Sequence, residues 1–244
     1  MITSELLLTS TLTASDIRRI YDLFSCYFVG TTPAVFDADL AAKNWVLLLR
    51  DSATQTLVGF SALWVYDVTF GGEILTIVYS GDTIVAPSDW SRSPLAKSWI
   101  AAVNQIRAQH AGQRCFWLLI SSGFRTYRFL PTFWQTFYPC YDRPTPPRRQ
   151  TLLDFLAQRQ FQHHYDAIAG IVRLPQPQQL CPELRGIPPQ RLRDPHIRFF
   201  AQRNPGYERG DELVCLTEIS PANLTAAGRR MWFGSHLVSE ELSR

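Results

Sequence analysis

The residues of this chain that could do chemistry are few. Gly81-Asp82 lies near the end of an apolar run, Glu73–Val85. A glycine inside a strand pattern marks a bulge or a close backbone approach, so an ionisable carboxyl sits at an irregular point. Further on comes Ser91-Arg92-Ser93-Pro94-Leu95-Ala96. Arginine grips phosphates bidentately, Pro94 suits the first turn of a helix, and helix N-termini attract anions. Arg125, Tyr127 and Arg128 follow a second apolar run, Cys115–Ile120. His163-His164 has no second His/Cys cluster at ligand spacing, which favours structural use over metal binding. Asp211-Glu212 has the chemistry to meet a basic peptide, but solvation of a strand edge is the plainer account. No GxGxxG follows the first strand and no Walker loop is present.

The elements that must position these groups follow from periodicity. Leu6–Leu12 is a short strand. Thr13 or Ser15 caps a helix with Asp16 in its first turn, and Ile17, Ile20, Tyr21, Phe24 and Phe28 fall at helical spacing along it. Pro33–Lys43 is a shorter helix. Trp45–Arg50 and Leu57–Tyr66 form a hairpin across the polar turn Asp51–Thr56. Gly71-Gly72 turns the chain into the strand Glu73–Val85. Pro87–Pro94 is a loop. Leu95, Trp99, Val103 and Ile106 then make a helix face that Gly112 ends.

Cys115–Ile120 is a buried strand. Phe124–Tyr138, rich in aromatics and broken by Pro131, is a kinked helix or two short ones. Residues 142–149 form a surface connection, Thr151–Phe161 a helix and Ala167–Leu174 a strand. Pro175–Pro195 holds six prolines and is irregular. Glu212–Ile219 is a strand, and Ser220-Pro221 opens a last helix to about Trp232. Hairpins first and a βαβα unit after them give an α+β fold and exclude a doubly wound dinucleotide fold.

Composition narrows the function classes. Apolar residues make up 46% and charged residues 18% of 244, a globular balance. A net charge of +3 argues against nucleic acid as the main partner. Lys43 and Lys97 are the sole lysines. The five cysteines form no CxxC pair, as expected of reduced thiols in the cytoplasm. The N-terminus has no signal-peptide pattern, and no apolar run approaches the ~20 residues that span a bilayer.

The element order resembles that of the GCN5-related N-acetyltransferase (GNAT) superfamily. Trp45-Val-Leu-Leu-Leu-Arg-Asp51 with Leu57-Val-Gly-Phe-Ser61 is similar to its second and third strands. Ile74–Val85 with Ala86-Pro87 resembles its fourth strand, Cys115–Ile120 its fifth, and Tyr127 falls near a tyrosine many members carry on the next helix. The likeness covers roughly residues 6–138. Residues 1–141 would form the GNAT core and 142–244 a part that completes the sheet, with a Pro-rich insertion at 175–211. One departure stands out. Family loops usually read Q/R-x-x-G-x-G/A, whereas Ser91–Ala96 matches in place at Ala96 alone, with Arg92 one position off. Four strings, Tyr79–Val85, Arg125–Pro131, Phe137–Pro139 and Asn204–Val214, resemble GNAT-like maturases that attach fatty acyl groups to lysine or ornithine side chains of bacterial peptide natural products.

The resemblance implies an N-acyltransferase that moves an acyl group, of medium or long chain, from a CoA or carrier-protein thioester to an amine, with no metal. The backbone of Asp82, Thr83, Ile84 and Val85 would polarise the thioester carbonyl, and Arg92, Ser93, Ala96 and Arg125 would hold the donor. Asp82 is the favoured base, Glu73 the other, and Tyr127 the acid for the departing thiolate. The aromatic segment 124–138 would border an apolar acyl groove. Two alternatives are an enzyme like acyl-homoserine-lactone synthases and a GNAT-derived binding module without catalysis.

Overall fold

The computed structural model describes residues 2–85 and 94–233. Its elements, in chain order, are β1 (Ile2–Leu8), α1 (Ala14–Ser25), β2 (Phe28–Val29), α2 (Pro33–Ala41), β3 (Trp45–Asp51), β4 (Leu57–Phe70), β5 (Glu73–Val85), α3 (Pro94–Gln109), β6 (Arg114–Ser121), α4 (Phe124–Tyr127), α5 (Phe129–Phe133) and β7 (Phe137–Tyr138). The second part adds α6 (Pro147–Phe161), β8 (Tyr165–Asp166), β9 (Ile171–Val172), β10 (Gln179–Leu180), α7 (Pro182–Arg185), α8 (Pro195–Arg203), β11 (Glu212–Glu218) and α9 (Ala226–Phe233). Local chemistry sets several starts. Thr13 and Asp16 exchange capping bonds at α1, satisfying orphan N–H groups of the first turn. Thr32 caps α2 ahead of Pro33.

One nine-stranded sheet runs β1-β3-β4-β5-β6-β11-β9-β8, with β7 also on β11, and β2 and β10 make a separate pair. Among the described residues every pairing is antiparallel except β5 with β6, whose connection carries α3 as a crossover. The fold class is thus the expected α+β: a mixed central sheet flanked by helices.

Alternation along the strands sorts the core into three clusters. Leu63 and Val65 of β4 face α3 and α9 together with Trp99, Ile100, Val103 and Trp117. On the other face, Phe60 and Ala62 pack under α1 and α2 with Ile20, Phe24 and Phe36. Trp64 and Tyr66, two and four residues on, pack with the α6 cluster of Leu152, Leu153 and Leu156. Residues 60, 62, 64 and 66 share one side of a strand, so the α1/α2 and α6 clusters lie side by side on one face, with a seam between them.

Several expectations change in detail. The first strand ends at Leu8, and Thr9–Thr11 is a 3-10 turn. The break in the aromatic segment falls at Arg128, while Pro131 lies inside α5. Ala167–Leu174 contributes only Ile171–Val172, because Gly170 adopts φ +70° in the turn from β8. Ser220 makes no side-chain cap bond; Pro221–Asn223 is a 3-10 turn and the last helix starts at Ala226. Asp194 caps an additional helix, α8, whose first residue is Pro195.

Gly228 brings α9 against α5 so closely that an added Cβ would lie 2.4 Å from the Phe133 carbonyl oxygen. Gly228→Ala is therefore expected to cost about 1–3 kcal/mol, read as a lowered midpoint in thermal unfolding. An unchanged midpoint would contradict this packing.

Candidate functional site

The site starts from a count of residues. Between the pairs Leu63↔Ser80 and Ser61↔Thr83, β4 advances two positions and β5 three. The extra residue makes a bulge at Gly81-Asp82, opposite Ala62. A bulge bends its strand and shifts the alternation of side chains. Here Gly81 and Asp82 both fall on the face of Ala62, the seam face, and Thr83 turns to the other, where its hydroxyl pairs with Ser61 at 2.8 Å. Without the bulge Asp82 would face α3.

The same bulge opens the sheet. Parallel pairing of β5 with β6 runs from Leu75↔Arg114 to Ser80↔Leu119 and stops. Both strands continue, β5 against β4 as far as Val85↔Gly59 and β6 against β11 as far as Ser121↔Leu213. Trp117 pins the last shared rung by donating its Nε1–H to Ser80 Oγ at 2.8 Å. Beyond that rung the sheet has a window between its two faces, with Ile84 packed toward α1/α2 and Val85 toward α3.

Ionisable groups gather on the seam side of the window. Lys43, just past α2 and 6% exposed, donates to both Asp39 carboxylate oxygens at 2.8 and 2.9 Å. Its Nζ lies 5.6 Å from the Tyr79 ring centroid. Gly81 makes this possible, since a Cβ there would lie 2.8 Å from Lys43 Cε. Burial pushes the Asp82 carboxyl up to about 7; the Asp39 charge adds to this and Lys43 opposes it. Burial also raises Glu212 to about 8, helped by the Asp82 charge and opposed by the Ser122 N–H. The Tyr79 phenol is pushed well above its usual range by burial, with Asp39, Glu212 and Asp82 adding to the effect. Glu212 was read from sequence as a solvated strand edge. It lies on β11 on the side of Val214 and Leu216, which belong to the α6 cluster.

The other candidates are placed differently. Glu73 opens β5, nine residues from Asp82, roughly 30 Å away along an extended strand. It pairs with Arg114 and Arg148 at 3.5 and 3.7 Å, so the two carboxylates do not meet. Tyr127 is fully buried. It donates to the Pro139 carbonyl at 3.1 Å and packs against Phe137, Phe199 and Phe200; burial raises its phenol. Its hydroxyl is committed to the core. The aromatics expected to border an acyl groove, Phe124, Phe133, Trp134 and Phe137, pack in the same core.

Arg125 donates to the Leu184 carbonyl at 3.1 Å and lies over the Phe124 ring; burial and the neighbouring Arg191 lower its pKa. Ala96 is buried in the first turn of α3. Arg92 and Ser93 lie outside the described residues. Among the described residues no group of three His, Cys, Asp or Glu could hold a metal, and no helix is long and apolar enough to cross a membrane.

No protein-family model matches the sequence, and no curated protein matches it. Solved structures resemble parts of it. A conserved protein of Enterococcus faecalis V583, described as a probable N-acyltransferase, is 15% identical with a TM-score of 0.40, over 55% of this chain and 33% of that one. This chain thus spans a third of that protein's length. The GNAT-family N-acetyltransferase YhbS of Escherichia coli, in complex with CoA, is 16% identical with a TM-score of 0.40, over 55% and 71% of the two chains. A Trypanosoma brucei acetyltransferase is 18% identical with a TM-score of 0.37, over 60% and 98%.

Two predictions follow from the packing and charge of the window. Gly81→Ala must displace the buried Lys43 side chain and lower the melting midpoint, whereas Gly186→Ala, with open space around it, should leave it unchanged; equal midpoints would refute the close approach. The second concerns pH. Well below their ordinary values of 3.8 and 4.5, Asp82 and Glu212 are protonated folded or unfolded and cost nothing. As pH rises toward about 7 and 8, the unfolded chain releases protons that the folded one retains, so stability falls. Asp82→Asn should melt above wild type at pH 9 and level with it below about pH 3. A wild-type advantage at pH 9 would contradict the burial of this acid.

Proposed function

We propose that this protein is an N-acyltransferase of the GNAT type, transferring an acyl group from a thioester to an amine. The observation that carries the proposal is the parallel β5–β6 ladder that stops at Ser80–Leu119 while both strands run on. Such a window admits a slender pantetheine arm from the α3 side and lets its thioester emerge beside Asp82. β5 backbone at Thr83 and Ile84, beyond the ladder with β6, supplies N–H groups for the thioester carbonyl, an oxyanion-type contribution of ~2.7–4 kcal/mol per donor.

The acceptor approaches on the seam face. An alkylammonium has a pKa near ~10.4 and must lose a proton before it attacks. Ionised Asp82, titrating at about 7, takes that proton. The free amine forms the C–N bond, the C–S bond breaks, the second amine proton passes to the departing thiolate, and the third stays on the amide nitrogen. Glu73, paired with Arg114 and Arg148, and Tyr127, whose hydroxyl donates to the Pro139 carbonyl, have no part in this scheme.

The finer reading makes the acyl group a fatty one, carried on CoA or a carrier protein, and the acceptor a lysine or ornithine side chain of a peptide. It rests on the four strings that resemble peptide-lipidating maturases. Donor grading tests it: purified protein is offered acyl-CoAs of graded chain length, from acetyl to long fatty acyl, with lysine-containing peptides, and thiol release is followed. Release that depends on amine and favours longer chains is expected. Asp82→Asn should slow turnover by ~10²-fold or more with donor affinity unchanged, and the wild-type rate should fall as pH drops through about 7. No thiol release and no donor binding at any chain length would overturn the proposal.

A further inference from the structure

Glu212 is a buried-face acid that the scheme above leaves unused. Its place is set by the sheet. β11 pairs with β6 to Ser121↔Leu213, and Glu212 is the next residue, paired on its far side with Val172. Its side chain shares the seam face with Val214 and Leu216, the face to which the bulge turns Asp82. Strands β5 and β11 both neighbour β6, one on each side. Asp82 and the longer Glu212 therefore face the same seam from either side of β6, close enough that the Asp82 charge acts on Glu212.

Acidic groups outnumber basic ones on this seam face. Asp39, Asp82 and Glu212 are three acids, with Lys43 the nearby base, and Lys43 is committed to Asp39 by two short bonds. Tyr79 and Tyr66 are neutral phenols there, both held above their usual range by burial. Arg159 of α6 acts on Tyr66, and Arg173 pairs with Asp166 and Asp211. Among the described residues neither Asp82 nor Glu212 has a cation at ion-pair distance.

We infer that Glu212 is the ammonium-binding residue of the acceptor site, holding a cationic primary amine on a flexible alkyl stem across the window from Asp82. The inference rests on the acyltransferase reading and specifies its acceptor. Asp82 and Glu212 then divide the work: Asp82 takes the proton and Glu212 keeps the nitrogen in place.

The test uses n-pentylamine as acceptor and dodecanoyl-CoA as donor. Glu212→Gln, a neutral isostere, is expected to raise the KM for n-pentylamine roughly tenfold or more, with kcat within about threefold and the donor KM unchanged. Glu212→Asp, which keeps the charge on a shorter stem, should fall between the two. Calorimetry with n-pentylammonium, and with n-pentanol as the neutral control, reads the same site without turnover; binding of the cation alone, lost in Glu212→Gln, is expected. Wild-type turnover with an unchanged amine KM in Glu212→Gln overturns the role of Glu212 and leaves acyl transfer standing. Glu212-dependent cation binding without thiol release supports the role and overturns acyl transfer. Absence of n-pentylammonium binding to the folded wild type overturns the inference.

Discussion

One extra residue in β5 does two things at once. At Gly81-Asp82 the strand advances three positions while β4 advances two. That extra residue bends β5 away from β6, so the parallel ladder ends and the sheet acquires a window. It also reverses the phase of the side chains, so that Asp82 leaves the face of α3 and joins Lys43, Tyr79 and Glu212. Remove the bulge and the sheet closes over a carboxylate on the wrong face. The glycine is part of the same device, because the space of its missing Cβ is taken by Lys43.

The electrostatics depend on that placement. A carboxyl on an open edge would keep an ordinary pKa, and a fully sealed one would stay protonated. Asp82 lies between these limits, its charge disfavoured by burial and by Asp39 and partly restored by Lys43. A group that titrates near the working pH can both accept and release a proton within a cycle. The arrangement is costly to the folded state, because two acids are held above their unfolded values on one face of the sheet. Such a cost is the usual signature of a site shaped for a ligand.

Much of this was legible in the sequence, and the reasons are local. Glu73–Val85 has the same bounds in both readings because Gly71-Gly72 and the apolar run define them. Thr13 with Asp16 announced α1, and Gly81 announced the bulge. What failed was information that is not local. Glu212 reads as a solvated edge until β11 is known to lie beside β6 with its even-numbered side chains on the seam face. Tyr127 has the right residue type and position but is packed against Phe199 and Phe200, which come from a helix hidden in a Pro-rich stretch. In sequence Pro195 reads as the end of irregular chain, whereas Asp194 makes it a helix start. Glu73 and Asp82 share a strand, and only the length of that strand separates them.

The central claim is that the window between β5 and β6 receives the thioester arm of the donor. A crystal structure with a non-transferable thioether analogue of an acyl-CoA tests it directly. The account predicts the pantetheine arm between residues 81–85 and 119–121, with the acyl carbonyl within hydrogen-bond reach of the β5 backbone and its carbon on the Asp82 side. An analogue bound elsewhere, with the window filled by side chains, would contradict it.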